Sequence, residues 1–299
     1  MSKFLNPFVD YGFKYIFGRE ESKEFLIDFL NSLLEHEENY SPIVDLTYRD
    51  KEMSRRNEED RGVIYDIHCR TADGRMFTVE MQNASQSYFL ERILYYASRG
   101  VTEQGQTGKD WRYRYDPVYC VALMNFELPR FPGRFRIDGC FCDMETREVI
   151  SDKIRCIFLQ LPNFEKKDKS REQECRTALE QWMYNIINMS TMEGLAFSRE
   201  RQLFARLEGV ASYAALGESE RRAYDADLKA YRDMMGQLEY ARESSLRRGR
   251  EEGREEGREE GREEEKIKIV KSMADNGLSI SLISEIVGLP QSRIKEIVG

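Results

Sequence analysis

Histidine is scarce in this chain. Only His36 and His68 occur among 299 residues, so a zinc site built from Cys and His is not expected. No run approaches the roughly 18 apolar residues that a membrane-spanning helix needs. The N-terminal stretch MSKFLNPFVDYGFK lacks the basic, then apolar, then small-residue order of a signal peptide. Cysteines number six, and only Cys140 and Cys142 are close together; alternate positions on a strand point to opposite faces. Four of the six sit in apolar, strand-like runs, where Cys acts as a small hydrophobe. A reduced, cytoplasmic protein is the expectation. Excess positive charge is also missing: the net charge is -8. That argues against a histone-like coat protein but not against an enzyme on nucleic acid, because charge is local and a metal can supply the positive field. With 40% apolar residues and 20 Gly, the composition is ordinary for a globular chain.

The chain reads as α/β. Phe13, Phe17, Phe25, Phe29, Leu30 and Leu33 recur at helical spacing and predict a helix over 6–35. Strand character follows at 43–48, 63–69, 76–82 and 118–126. A helix with a broad apolar face interrupts the last two, over 87–103. Further strands are expected at 135–142 and 153–161, and a helical pattern covers 171–214. Tyr224, Leu228, Tyr231, Met235 and Leu238 then step in a heptad rhythm that admits a short coiled coil. Four segments are expected: a main domain over 1–215, a helical stretch over 216–248, a charged EEGR spacer over 249–265, and a small helical unit over 266–299.

The segment VIYDIHCRTADGRMFTVEMQ, residues 63–82, carries most of the chemistry. Each half alternates, so Asp66, His68, Glu80 and Gln82 can lie opposite an apolar face. A three-residue Ala72-Asp73-Gly74 loop pairs Thr71 with Arg75 and sets Asp66 against Glu80; a two-residue Asp-Gly loop sets Asp66 against Met81 instead. Facing carboxylates repel unless something neutralises them. A divalent cation does so, since Mg²⁺ is held through one or two carboxylates plus water. The alternative is a solvated polar face with two unrelated acids.

The order helix, three strands, helix, strand, with Asp on the second strand and Glu-x-Gln on the third, resembles the PD-(D/E)xK nuclease core, a restriction-endonuclease-like fold. The runs NPFVDYGFKYIFG, YDIHC, FTVEMQN, ERILYYASR and FLQLPNF, over about residues 4–165, and the EEGR tail are similar to the Rpn-type recombination-promoting nucleases, or putative transposases. The resemblance implies a Mg²⁺-dependent DNA endonuclease linked to recombination or mobile elements. It implies Asp66, Glu80 and the backbone carbonyl of Met81 as metal ligands, and Gln82 in place of the superfamily's Lys. Gln can orient a water only through hydrogen bonds, whereas Lys adds charge. An acid of the first helix completes the site in many members: Asp10 is the better candidate, Glu24 the lesser. The alternative is a DNA-binding or scaffold protein of the same fold with weak or lost chemistry.

Arg92, Tyr96 and Arg99 share one face of the helix after Gln82. The two Arg residues are candidate phosphate contacts, and Tyr96 is read as core. Gln86 can reach the site, and His68 is read as structural. Trp111-Arg112-Tyr113-Arg114-Tyr115 mixes base and aromatic residues as single-strand binders do, or simply leads into a buried strand. Gly249, Gly253, Gly257 and Gly261 recur every four residues in a charged, loosely helical spacer, where self-association is the sharper reading. Residues 266–299 resemble a helix-turn-helix, with Gln291, Ser292, Arg293 and Lys295 facing DNA, or else form a clasp through which copies of the chain associate. Their five basic and three acidic groups are a weak positive balance for a DNA reader.

Overall fold

The computed structural model describes residues 2–37, 40–49, 66–106, 108 and 111–299. Two helices, α1 (Asp10–Phe17) and α2 (Lys23–Leu34), precede strands β1 (Leu46–Tyr48), β2 (Ile67–Thr71) and β3 (Met76–Gln82). Helix α3 (Phe89–Glu103) leads to β4 (Val118–Met124), β5 (Arg136–Cys142) and β6 (Val149–Gln160). The expected order of helix, three strands, helix, strand is present. Residues 63–65 of the second expected strand lie outside the described residues.

The six strands form one sheet in the order β1-β2-β3-β4-β6-β5. β3, β4 and β6 are parallel, and the other pairs are antiparallel. The parallel centre follows from α3, which crosses one face between β3 and β4. Central strands are therefore buried on both faces, and β4 is buried at every position.

One face packs Phe77, Val79, Met81, Val121 and Leu159 against α1, α2, α4 (Ala178–Asn188) and α5 (Gln202–Val210). Trp182 of α4 is fully buried there, and its indole N–H donates to Asp28 at 2.7 Å. The other face packs Cys120, Ala122, Cys156 and Phe158 under Phe89, Ile93, Tyr96 and Ala97 of α3.

Three expectations need correction. The single helix over 6–35 is two helices, because α1 stops at Gly18 and a short 3₁₀ turn, Glu20–Ser22, redirects the chain. Both pieces can then press a Phe-rich stripe on the same core. The 171–214 pattern is likewise broken into α4 and α5, with Phe197 in a left-handed conformation between them. The heptad stripe from Tyr224 is occupied within the chain: Tyr224 is buried, and with Leu228 and Tyr231 it covers Leu5, Val9 and Leu216.

That stripe opens α6 (Glu218–Asp275), a helix of 58 residues that runs unbroken through the EEGR segment. Its four EEGR glycines face open space. The chain divides into two compact units, residues 1–231 and 232–299. In the second, the end of α6 packs with α7 (Ile280–Val287) and α8 (Gln291–Val298) around Val270, Ile283 and Ile294. Ser279 caps α7, accepting from the Leu282 N–H, and Gly288 ends it. Among the described residues, no helix is long and apolar enough to cross a membrane.

Candidate active site

The β2–β3 hairpin sets the site. Thr71 N–H donates to Arg75 O at 2.9 Å, closing the three-residue loop, and Gly74 sits at φ +96, where a side chain would also strike Asp116. Ile67 then pairs with Val79, which puts Asp66, one residue before β2, opposite Glu80. Their contacts are direct. Asp66 N–H donates to Glu80 Oε1 at 3.3 Å, and Met81 N–H donates to Asp66 Oδ2 at 3.0 Å. Gln82 Nε2 donates to Glu80 Oε2 at 3.2 Å. The Met81 side chain points into the core on the opposite face, so only its backbone is on offer.

The solvated-face alternative is overturned. Helix α3 covers this face, and Glu80 is 3% exposed. Burial, and then the Asp66 charge, push the Glu80 carboxyl up to about 8. Burial also raises Asp66, against the pull of the Met81 N–H and Lys14. Both groups resist carrying negative charge side by side, which is the condition a bound cation relieves.

One member of the site is invisible in the sequence. Lys14 Nζ lies 2.6 Å from Asp10 Oδ1 and 3.7 Å from Asp66 Oδ1. The loop before α1 puts it there. Phe8 N–H donates to Asn6 Oδ1, and Asn83, next to Gln82, donates to Phe8 O at 2.6 Å. Gly12 lets α1 close on this loop, since a Cβ would stand 2.3 Å from Asn6 O. From the far side, Asn6 N–H donates to the Tyr224 hydroxyl and Tyr11 N–H to Asp227. Burial lowers the Lys14 ammonium, but the Asp10 hydrogen bond and the Asp66 charge outweigh it and hold the group above its ordinary pKa. Asp10 thus meets the carboxylate pair through Lys14. Glu24 is engaged elsewhere, in a two-armed pair with Arg206.

Along α3 the expected stripe is in place. Arg92 Nη1 donates to Gln86 Oε1 at 2.9 Å, while its Nε and Nη2 are buried and have no hydrogen-bond partner among the described residues. Its positive charge offsets part of the rise in both carboxyls. Arg99 Nε is in the same unpaired state. Tyr96 is buried in the α3 core, as expected, yet close enough to Glu80 that burial and this charge raise its hydroxyl to about 12. His68 bridges Thr78 and Glu103, each at 3.1 Å, and acts as a structural group. In the second unit, Arg293 pairs with Glu296 and Glu263, and Lys295 lies in the last turn of α8.

Two facing carboxylates that resist ionising side by side are hard-oxygen donors of the kind Mg²⁺ takes, and they suit such an ion. Among the described residues, no group of three or more His, Cys, Asp or Glu forms a metal cluster. No curated protein and no solved structure matches the chain. A family model described as PD-(D/E)XK nuclease family transposase matches residues 7–241, and the chain belongs to that family.

Proposed function

We propose that this protein is a Mg²⁺-dependent DNA endonuclease that hydrolyses phosphodiester bonds in recombination or mobile-element movement. The observation that carries this reading is the buried Asp66–Glu80 pair, ringed by Lys14, Gln82 and a partly unpaired Arg92. Asp66, Glu80 and the Met81 carbonyl would hold the ion. When bound, it supplies Lewis-acid polarisation of the phosphoryl group and a lowered pKa for coordinated water.

The remaining work falls to side chains. Gln82, anchored on Glu80, orients the attacking water through its amide. Arg92 offers Nε and Nη2 to a non-bridging phosphate oxygen, restoring the hydrogen bonds it lacks. Lys14 provides the positive charge that Gln82 cannot, stabilising charge that builds on the phosphoryl oxygens. The lysine role then comes from α1 rather than from β3. Arg99, and in the second unit Arg293 and Lys295, would contact the phosphate backbone further along.

The test is nicking of supercoiled plasmid by the full chain with Mg²⁺ and with a chelator. Cleavage that the chelator leaves intact would refute the metal role. Binding of DNA without any cleavage, dependent on residues 266–299, would favour the non-catalytic scaffold reading. Lys14→Met is expected to slow cleavage on the order of 10–100-fold. It should also lower the Mg²⁺ concentration needed for half-maximal rate, because a competing cation is gone. An unchanged rate would remove Lys14 from the site.

A further inference from the structure

A second charged depression, of about 660 Å³, lies at the end of β3 opposite Glu80 and Gln82. Arg49, Arg70, Arg114 and Lys153 line it, together with Glu103 and Asp116. Both acids are already engaged. Glu103 holds His68, and Asp116 accepts from Arg70 Nη2 at 2.7 Å. Lys153 donates to Tyr115 O at 2.8 Å and has no ion-pair partner among the described residues. Arg114 has no ion-pair partner among the described residues. The depression is thus a positive patch on a protein of net charge -8.

An aromatic platform borders it. Trp111 rests against Gly105 at the end of α3, and its indole N–H donates to Arg114 O at 3.4 Å. Tyr113 stands beside Trp111 with ring centroids 4.8 Å apart, and Tyr113 is 77% exposed. Its backbone is left-handed, at φ 56, which disfavours a bulky residue by about 1–2 kcal/mol. The fold holds a large ring, at a backbone cost, out in solvent next to Arg114. Stacking surface beside positive charge is the chemistry that grips an unpaired nucleotide.

We propose that this depression and the Trp111–Tyr113 pair form a single-stranded DNA subsite. An unpaired base stacks on Tyr113, and its phosphates lie on Arg114 and Lys153. The inference rests on the nuclease reading above for the identity of the nucleic acid. Met76, at the depression, is four residues from Glu80, about 13 Å along the strand at roughly 3.3 Å per residue. That is a span of a few nucleotides. Arg92 and Arg99 lie on α3, which runs from the carboxylate end to this one, so the path between the two sites is also basic. A strand opened near the scissile bond would be held here.

The experiment is fluorescence anisotropy of the full chain with a labelled oligothymidylate of about a dozen nucleotides and with a duplex of equal length, in chelator, so that no cleavage intervenes. The double variant Tyr113→Ala/Arg114→Ala should bind the single strand at least about tenfold more weakly, because stacking is worth about 1–3 kcal/mol per base. Duplex binding should change less than about twofold. Arg114→Ala alone should reduce the salt slope for the single strand by about 0.7. Tyr113→Trp should retain binding. Tyr113→Gly, which relieves the backbone, should lose binding while its melting temperature holds or rises, separating the role from folding. Unchanged single-strand affinity in the double variant overturns the proposal, as does a wild type that ignores single strands. So does a free deoxynucleotide that competes as well as the oligomer, which would mark a nucleotide pocket instead. Failure of plasmid cleavage with these affinities intact would overturn the nuclease reading alone.

Discussion

Replacing Asp66 with Asn, or Glu80 with Gln, is expected to reduce Mg²⁺-dependent nicking by about a thousandfold or more. Metal-ion stabilisation of a phosphoryl transition state is worth several kcal/mol, and each 1.36 kcal/mol is a factor of about ten. Either change removes half of the charge that would attract the ion. Neither should harm the fold. Asn can still accept from Met81 N–H, and Gln can still accept from Asp66 N–H once the Gln82 amide turns its oxygen toward the new NH₂, so the contacts at 3.0 and 3.3 Å survive. The repulsion between the two carboxylates disappears. In chelator and above about pH 8, where both carboxyls ionise, both variants should therefore melt at or above the wild-type temperature while losing Mg²⁺-dependent activity, the trade expected where a site is kept under electrostatic strain. Plasmid nicking and thermal melting on the same preparations give the result. An Asp66→Asn protein that nicks at the wild-type rate would remove this pair from the chemistry.

The metal-free protein is expected to lose stability as pH rises from about 5 to above 8. Glu80 is the source. Its carboxyl is pushed from 4.5 to about 8 by burial and by Asp66, and Asp66 is raised in the same sense. A carboxyl with a folded pKa above its unfolded value binds its proton more tightly in the native state. Its contribution is complete below about 4.5 and disappears as pH climbs through about 8. Mg²⁺ should reverse the trend, because binding requires both carboxylates ionised and releases protons. Melting curves in chelator and in Mg²⁺, at about pH 6 and about pH 9, should show the larger metal-induced rise at the higher pH. Glu80→Gln should flatten the chelator series. A metal-free melting temperature that climbs across this range, and does so equally in Glu80→Gln, would refute the account.

Much of this site is legible in the sequence because the hairpin is local. The Ala72-Asp73-Gly74 turn admits only two registers, strand alternation carries one of them to Asp66 and Glu80, and the Thr71–Arg75 bond of the structure selects it. The arginine stripe on α3 is legible for the same reason, since helical spacing alone puts Arg92 and Arg99 on one side. Burial of the pair is not legible, because alternation looks the same whether a helix or water covers the polar face. Lys14 is hidden for a further reason. Four residues after Asp10, it reads as an ordinary helical ion pair. Its approach to Asp66 depends on Asn83 catching Phe8 O and on Gly12 admitting the loop. The first of these joins segments 75 residues apart in sequence. The break at Gly18 and the internal use of the Tyr224 stripe also depend on tertiary packing, which overrides an unbroken 3.6-residue period.

The first turns of α6 belong to the unit that holds the sheet. A protein cut at residue 215 would retain the six described strands together with Asp10, Lys14, Asp66, Glu80, Gln82 and Arg92. It would nonetheless lose the Tyr224 hydroxyl and the Asp227 carboxylate that accept from Asn6 and Tyr11. It would also uncover Leu5 and Val9. The loop that aims Lys14 would then be held from one side only. Dissection of this protein should therefore be made beyond Tyr231, where the first compact unit ends.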